Sequence, residues 1–242
     1  MKIGIFPGSF NPVHNGHLAM ANYLAEYEEY DEIWFMITPQ NPAKSRVDLL
    51  DQNIRLKLLE ESIKGYSKFK INTMEWEMPQ PCYTVNTLQK LRMAHPKDQI
   101  ELIIGTDNWA MFHRWKDYQV IIKNFKILIY PRRGSDKVYL KYPTVRLAEN
   151  APKFGISSTD IREAIKAGKD LRYYMPGNTY EQVVALDFFH PDPVEEPTAE
   201  AVAEGEASAT AAKGEASATA AKGEASETAA ESKASESAAT GE

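Results

Sequence analysis

The chain has 242 residues, with 28 Lys and Arg against 34 Asp and Glu, and one cysteine, Cys82. A lone cysteine excludes an internal disulfide and a cysteine-built zinc site, and no apolar run approaches the ~18 residues of a membrane span. No leader-like segment stands before the first apolar run, so a cytoplasmic protein is expected.

The acidic balance belongs to one end of the chain. Residues 193–242 hold 11 Glu and 3 Lys, net −8, so the whole-chain −6 leaves +2 on residues 1–192. The unit GEASATAAK stands at 205–213 and again at 214–222, with the variant GEASETAAE at 223–231. A segment without aromatic residues cannot offset its ordering entropy by burial. We expect a domain over 1–192 and a disordered, low-complexity Ala/Glu/Ser-rich tail over 193–242.

In chain order, Ile3-Gly4-Ile5-Phe6 reads as a buried strand closed by Pro7-Gly8. A polar turn follows, and from His17 the apolar positions Met20, Leu24 and Tyr27 take helical spacing up to about Glu29. His14 and His17 stand where turn becomes helix, a place with unpaired N–H groups and a positive dipole end. Glu32–Thr38 is the next strand, and Thr38–Val47 a loop with Asn41, Pro42, Lys44 and Arg46. A helix from about Leu50 to Lys64 turns Leu56, Leu59 and Ile63 inward and stops at Gly65.

Phe69–Glu77 reads as a strand, Pro79-Gln80-Pro81 as a break, and Thr84 as the cap of a helix burying Val85, Leu88 and Leu91. Then come strand Gln99–Ile104, a mainly helical stretch Asn108–Asn124, strand Lys126–Tyr130 and strand Thr144–Ala148. The helix Ser157–Gly168 has Ser157 or Ser158 as cap and Asp160 in its first turn, and a last helix covers about Thr179 to Phe188. Strands alternating with helices predict an α/β fold: a Rossmann-like open parallel sheet with helices on both faces. In such sheets ligands bind beyond the C-terminal strand ends, where Gly8–His17, Thr38–Arg46, Gly105–Asp107 and Arg132 all fall.

Neither the Walker loop nor the dinucleotide fingerprint is present. Gly8-Ser9-Phe10-Asn11-Pro12-Val13-His14-Asn15-Gly16-His17 resembles the HxGH signature of the nucleotidyltransferase superfamily, with every defining position filled. Ile156-Ser157-Ser158-Thr159-Asp160-Ile161-Arg162 resembles that superfamily's ISSTxIR motif. Cys82-Tyr83-Thr84-Val85-Asn86-Thr87-Leu88 and Ile103-Ile104-Gly105-Thr106-Asp107, with Arg114-Trp115-Lys116, are similar to segments of the bacterial nicotinate-nucleotide adenylyltransferases. The likeness spans about residues 1–189. Pro7 departs from it, since a PGSF start is more familiar in pantetheine-phosphate adenylyltransferases, which generally carry Thr where His14 stands. Asn41-Pro42-Ala43-Lys44 is a looser form of that family's P-x-H-[KR] loop.

The resemblance implies transfer of AMP from ATP to nicotinate mononucleotide, giving the dinucleotide and pyrophosphate. It implies His14, His17 and Arg162 as catalytic residues. ATP would meet Gly8, Ser9, Phe10, His14, His17, Gly105, Asp107, Arg132, Ile156, Ser157, Ser158, Thr159 and Arg162, with Mg²⁺ carried on its phosphates. Nicotinate mononucleotide would meet Lys44, Tyr83, Thr84 and Trp115, the indole supplying a stacking face. Trp109 and Trp115 also suit a core. The remaining readings are another HxGH transferase, such as a pantetheine-phosphate adenylyltransferase, and a non-catalytic nucleotide-binding regulator. No nucleic acid and no membrane partner is expected, and a homo-oligomer stays open.

Overall fold

In the computed structural model, residues 1–39, 49–132, 141–187 and 189 are described. Six strands form one sheet in the order β3-β2-β1-β4-β5-β6, every neighbouring pair parallel. They are β1 (Lys2–Gly8), β2 (Glu32–Ile37), β3 (Phe69–Asn72), β4 (Gln99–Gly105), β5 (Lys126–Tyr130) and β6 (Val145–Leu147). The helices are α1 (Asn15–Tyr27), α2 (Gln52–Ser62), α3 (Thr84–Ala94), α4 (Thr106–Ala110), α5 (Tyr118–Asn124), α6 (Ser158–Lys166) and α7 (Thr179–Ala185). This is the expected Rossmann-like α/β sheet. Strand order reverses between β1 and β4, which opens the crevice where such sheets take ligands.

Alternation along the strands builds two cores. Phe6, Ile33, Phe35, Ile103 and Leu128 face one way, against Met20 and Leu24 of α1, Leu58 and Leu59 of α2, Ile161 of α6 and Val183 of α7. Ile3, Ile5, Leu102, Ile104 and Ile127 face the other way, against Val85, Leu88 and Leu91 of α3 and Ile121 of α5. Burial on both faces is why these strands read as near-continuous apolar runs. No helix among the described residues is long and apolar enough to cross a membrane.

At the N-terminal end of the sheet, a buried polar group joins three elements. Glu101 of β4 accepts from Tyr30 Oη at 2.7 Å and from Arg146 Nε of β6 at 2.8 Å. Arg146 also pairs with Glu28 at the end of α1.

Several local expectations are corrected. The strand expected over Phe69–Glu77 ends at Asn72, whose side chain accepts from Met74 N–H, and Met74–Glu77 winds into a 3₁₀ turn. Thr84 is the first residue of α3, and Tyr83 holds the cap position without a side-chain bond. On α2 the buried residues are Arg55, Leu58 and Leu59, while Leu56 and Ile63 are only partly covered. Tyr27 is exposed and stacks on Tyr23 at 4.6 Å. The 108–124 stretch breaks into α4, a 3₁₀ turn at Phe112–Arg114 and α5, separated at Asp117, whose φ is +50°. The loop residues 40–48, including Lys44, and the tail 193–242 lie outside the described residues.

Candidate active site

The signature turn leaves β1 at Gly8 and enters α1 at Asn15. Phe10 takes a left-handed conformation, φ +46°, and buries its ring edge-on to His17 with centroids 5.1 Å apart. Phe10 thus gives its ring to the core, supporting His17 from below, and only its backbone is left for a nucleotide. Gly8 makes this possible, since a Cβ there would stand 2.8 Å from the Phe10 ring.

His14 is the N-cap of α1, and its Nδ1 accepts from the backbone N–H of His17 at 3.3 Å. A nitrogen that accepts carries no proton, so this bond assigns His14 the Nε2–H tautomer. Nε2 is buried and has no hydrogen-bond partner among the described residues. Burial, and secondarily the charge of Arg132, lower the His14 pKa to about 3. The ring is therefore neutral at physiological pH and presents one unspent donor. His17 stacks on it with centroids 3.7 Å apart. Gly16 permits the approach, since a Cβ there would lie 3.0 Å from His14 Nδ1. Both histidines line an open cleft with Phe6, Tyr130, Arg132 and Ile156.

The second motif is fastened directly onto the first. Ser158 Oγ donates to the Pro12 carbonyl at 2.9 Å, and Arg162 Nη1 donates to the Asn11 carbonyl, also at 2.9 Å. Arg162 Nη2 reaches Thr159 Oγ1 at 3.4 Å, and its buried Nε has no partner among the described residues. Ser157 caps α6, accepting from Asp160 N–H at 3.1 Å and donating to its carboxylate at 2.7 Å. All three hydroxyls thus have partners within the protein, Thr159 by the longest of these bonds. What faces outward is Thr159, together with the first-turn N–H groups that any helix leaves unpaired.

Across the cleft, Arg132 Nη1 pairs with Asp107 at 3.2 Å, and its backbone N–H donates to Thr106 Oγ1 at 2.9 Å. Gly105 lets the arginine cross the end of β4, where a Cβ would come within 2.6 Å of Arg132 Cδ. Both partners are partly exposed, and such a pair is held weakly.

Beyond β4, Tyr83, Trp109 and Trp115 are partly buried against the second core. Phe112 sits between the indoles, 5.1 Å from Trp109 and 5.0 Å from Trp115. The Lys116 ammonium stands 4.7 Å over the Tyr83 ring. Thr84 follows in the first turn of α3, whose Thr87 donates to the buried Glu75 carboxylate at 2.7 Å. Phosphate-side and ring-side residues therefore occupy two groups along the same strand ends. Arg55 and Tyr130 escaped the sequence reading. A signal existed for Arg55: it stands three and four positions before Leu58 and Leu59, on the apolar face of α2.

Residues 5–164 match the cytidylyltransferase-like family. A relative from Azobacteroides pseudotrichonymphae, named a probable nicotinate-nucleotide adenylyltransferase, is 55% identical over 184 residues, 76% of this chain and 97% of that one. The chain belongs to the nicotinate-nucleotide adenylyltransferase family. A Bacteroides fragilis member with the same name is 48% identical over 185 residues, 76% of this chain and 91% of its own. The solved nicotinic acid mononucleotide adenylyltransferase of Plasmodium falciparum shares the fold, with TM-score 0.66 at 20% identity over 78% of this chain and 97% of that one. In this family member, the matched region ends well short of residue 193 and contains both motifs.

Proposed function

We propose that the chain transfers AMP from ATP to nicotinate mononucleotide, producing nicotinate adenine dinucleotide and pyrophosphate. The observation that carries this reading is the neutral, buried His14 with an unspent Nε2–H, set at a helix N-terminus beside the docked Arg162 motif. A phosphate oxygen of the acceptor attacks the α-phosphorus of ATP. The bond from that phosphorus to the bridging oxygen breaks, and pyrophosphate leaves with the electron pair. Two polyanions must meet, so positioning and charge stabilisation carry the catalysis.

His14 and His17 donate to the α-phosphate as charge builds on its oxygens, and an anion bound there draws the His14 pKa upward. Arg162, Thr159 and the α6 N-terminus hold the departing phosphates, with the Ser157 and Ser158 backbone beside them. Arg132 exchanges Asp107 for phosphate, leaving Asp107 to accept a ribose hydroxyl. Gly8, Ser9, Phe10, Gly105 and Ile156 shape the nucleotide's bed. Tyr83, Thr84 and Trp115 receive the nicotinate ring, and Lys44 neutralises the acceptor phosphate.

Among the described residues no group of three or more His, Cys, Asp or Glu gathers to hold a metal. The donors on this cleft are cationic or N–H groups, which suit phosphate oxygens. Mg²⁺ carried on the ATP phosphates would neutralise part of their charge. The same reading assigns catalysis to residues 1–192, a solvating role to the Ala/Glu/Ser-rich 193–242, and a cytoplasmic location.

A pyrophosphate-release assay with ATP and a panel of acceptors tests it. Release with nicotinate mononucleotide is expected. Release only with phosphopantetheine would favour the other transferase, and ATP binding without release for any acceptor would favour a regulator. Trp115→Ala should raise KM for nicotinate mononucleotide well beyond its effect on KM for ATP.

A further inference from the structure

Arg55 is 1% exposed, yet no carboxylate pairs with its guanidinium among the described residues. It spends its donors on four main-chain carbonyls. Nε reaches Leu50 at 2.9 Å, Nη1 reaches Ser9 and Thr38 at 2.8 Å each, and Nη2 reaches Pro39 at 3.0 Å. Three separate pieces of chain meet on this one fork: the signature turn, the end of β2 and the approach to α2. A second bond reinforces the junction, the Leu50 N–H donating to Asn11 Oδ1 at 3.1 Å. Asn11 is also the residue whose carbonyl receives Arg162. Thr38, whose carbonyl Arg55 holds, carries a buried hydroxyl with no partner among the described residues.

An aliphatic side chain would fill this space without the cost of burying a cation, so packing alone does not account for an arginine here. Planar geometry does, because five donors on a rigid fork can span carbonyls from three segments. A lysine, with one nitrogen, cannot. We propose that Arg55 is a positioning residue for the transfer, holding the β2 end against the signature turn so that the acceptor phosphate meets the α-phosphorus in line. This rests on the functional reading above, and it assigns Arg55 no contact with substrate.

The test compares wild type with Arg55→Lys and Arg55→Met, using kinetics and hydrogen–deuterium exchange of the full chain. In Arg55→Lys, exchange should quicken at residues 9–11 and at 38, 49 and 50, while β1, β4 and β5 stay protected. A misplacement on the scale of an ångström costs ~10²-fold in rate, so kcat/KM for nicotinate mononucleotide should fall by about that factor while KM for ATP changes much less. If Arg55→Lys keeps wild-type exchange and wild-type kinetics, the proposal is overturned. Uniform loosening of the whole domain, with normal kcat in the folded fraction, also overturns it and leaves a structural arginine. Should Arg55→Met fail to fold, Arg55→Lys still decides. Absence of wild-type turnover would overturn the functional reading instead, and the exchange pattern would still rule for or against the fork.

Discussion

The two ends of the sheet treat buried polar groups in opposite ways. At the N-terminal end, Glu101, Tyr30, Arg146 and Glu28 bond one another, and none of their buried side-chain atoms lacks a partner. At the C-terminal end, His14 Nε2, Arg162 Nε and Thr38 Oγ1 are buried without partners among the described residues. An unsatisfied buried polar atom costs ~1–3 kcal/mol, so the second arrangement is unfavourable until something binds. One end spends all its buried polar atoms on holding elements together; the other, beside the satisfied Arg55 fork, leaves these atoms unspent.

The largest expected effect tests the satisfied end. Arg146→Met strands Glu101, whose side chain is 1% exposed. Breaking a buried pair in this way costs ~3–5 kcal/mol. The lower part of that range is expected, because Tyr30 still donates to Glu101. Chemical denaturation should register the loss while kcat of the folded fraction stays near wild type. A fall in kcat without a fall in stability would mean that the two ends are not separate in function.

His17→Ala should do the reverse. Removing one preorganised donor typically costs ~10²–10³ in kcat, roughly 2.7–4 kcal/mol, with KM for ATP and thermal midpoint little changed. Normal kcat on a destabilised protein would reduce His17 to a packing residue.

A third test is a pH dependence, modest within any one pH unit. The folded pKa of His14 is lowered to about 3 from the ordinary 6.5, so between those values the unfolded chain binds a proton that the native site refuses. At pH above 6.5 neither state is protonated and His14 contributes nothing. As pH falls from 6.5 toward 3, stability drops by up to about 1.4 kcal/mol per unit. His14→Gln should remove that slope in ligand-free protein, and pyrophosphate should flatten it in wild type. Equal slopes in wild type and variant would show that His14 is not the group responsible. The smallest effect belongs to the tail: deleting 193–242 should move stability by less than ~0.5 kcal/mol and leave turnover intact.

Much of this was legible in the sequence because it rests on local pattern. Doubly covered strands such as Glu32–Ile37 and Gln99–Gly105 announce themselves as apolar runs, and the strand-turn-helix around His14 is written in consecutive residues. What stayed hidden depends on contacts across the chain. Phe69–Glu77 looks extended by composition, but the Asn72 side chain redirects the backbone. Ser157 and Ser158 look like phosphate ligands, yet their hydroxyls serve the cap and the Pro12 carbonyl. Arg55 drew no reading from the sequence, because its partners are carbonyls as many as 46 positions away. Main-chain acceptors leave no mark in side-chain identity.

The bonds from Ser158 to Pro12 and from Arg162 to Asn11 span 146 and 151 positions. During synthesis the signature turn is made well before its counterpart. At ~5–20 residues per second, roughly ten to thirty seconds separate the two. A nascent chain therefore exposes its histidines well before the second motif can dock beside them.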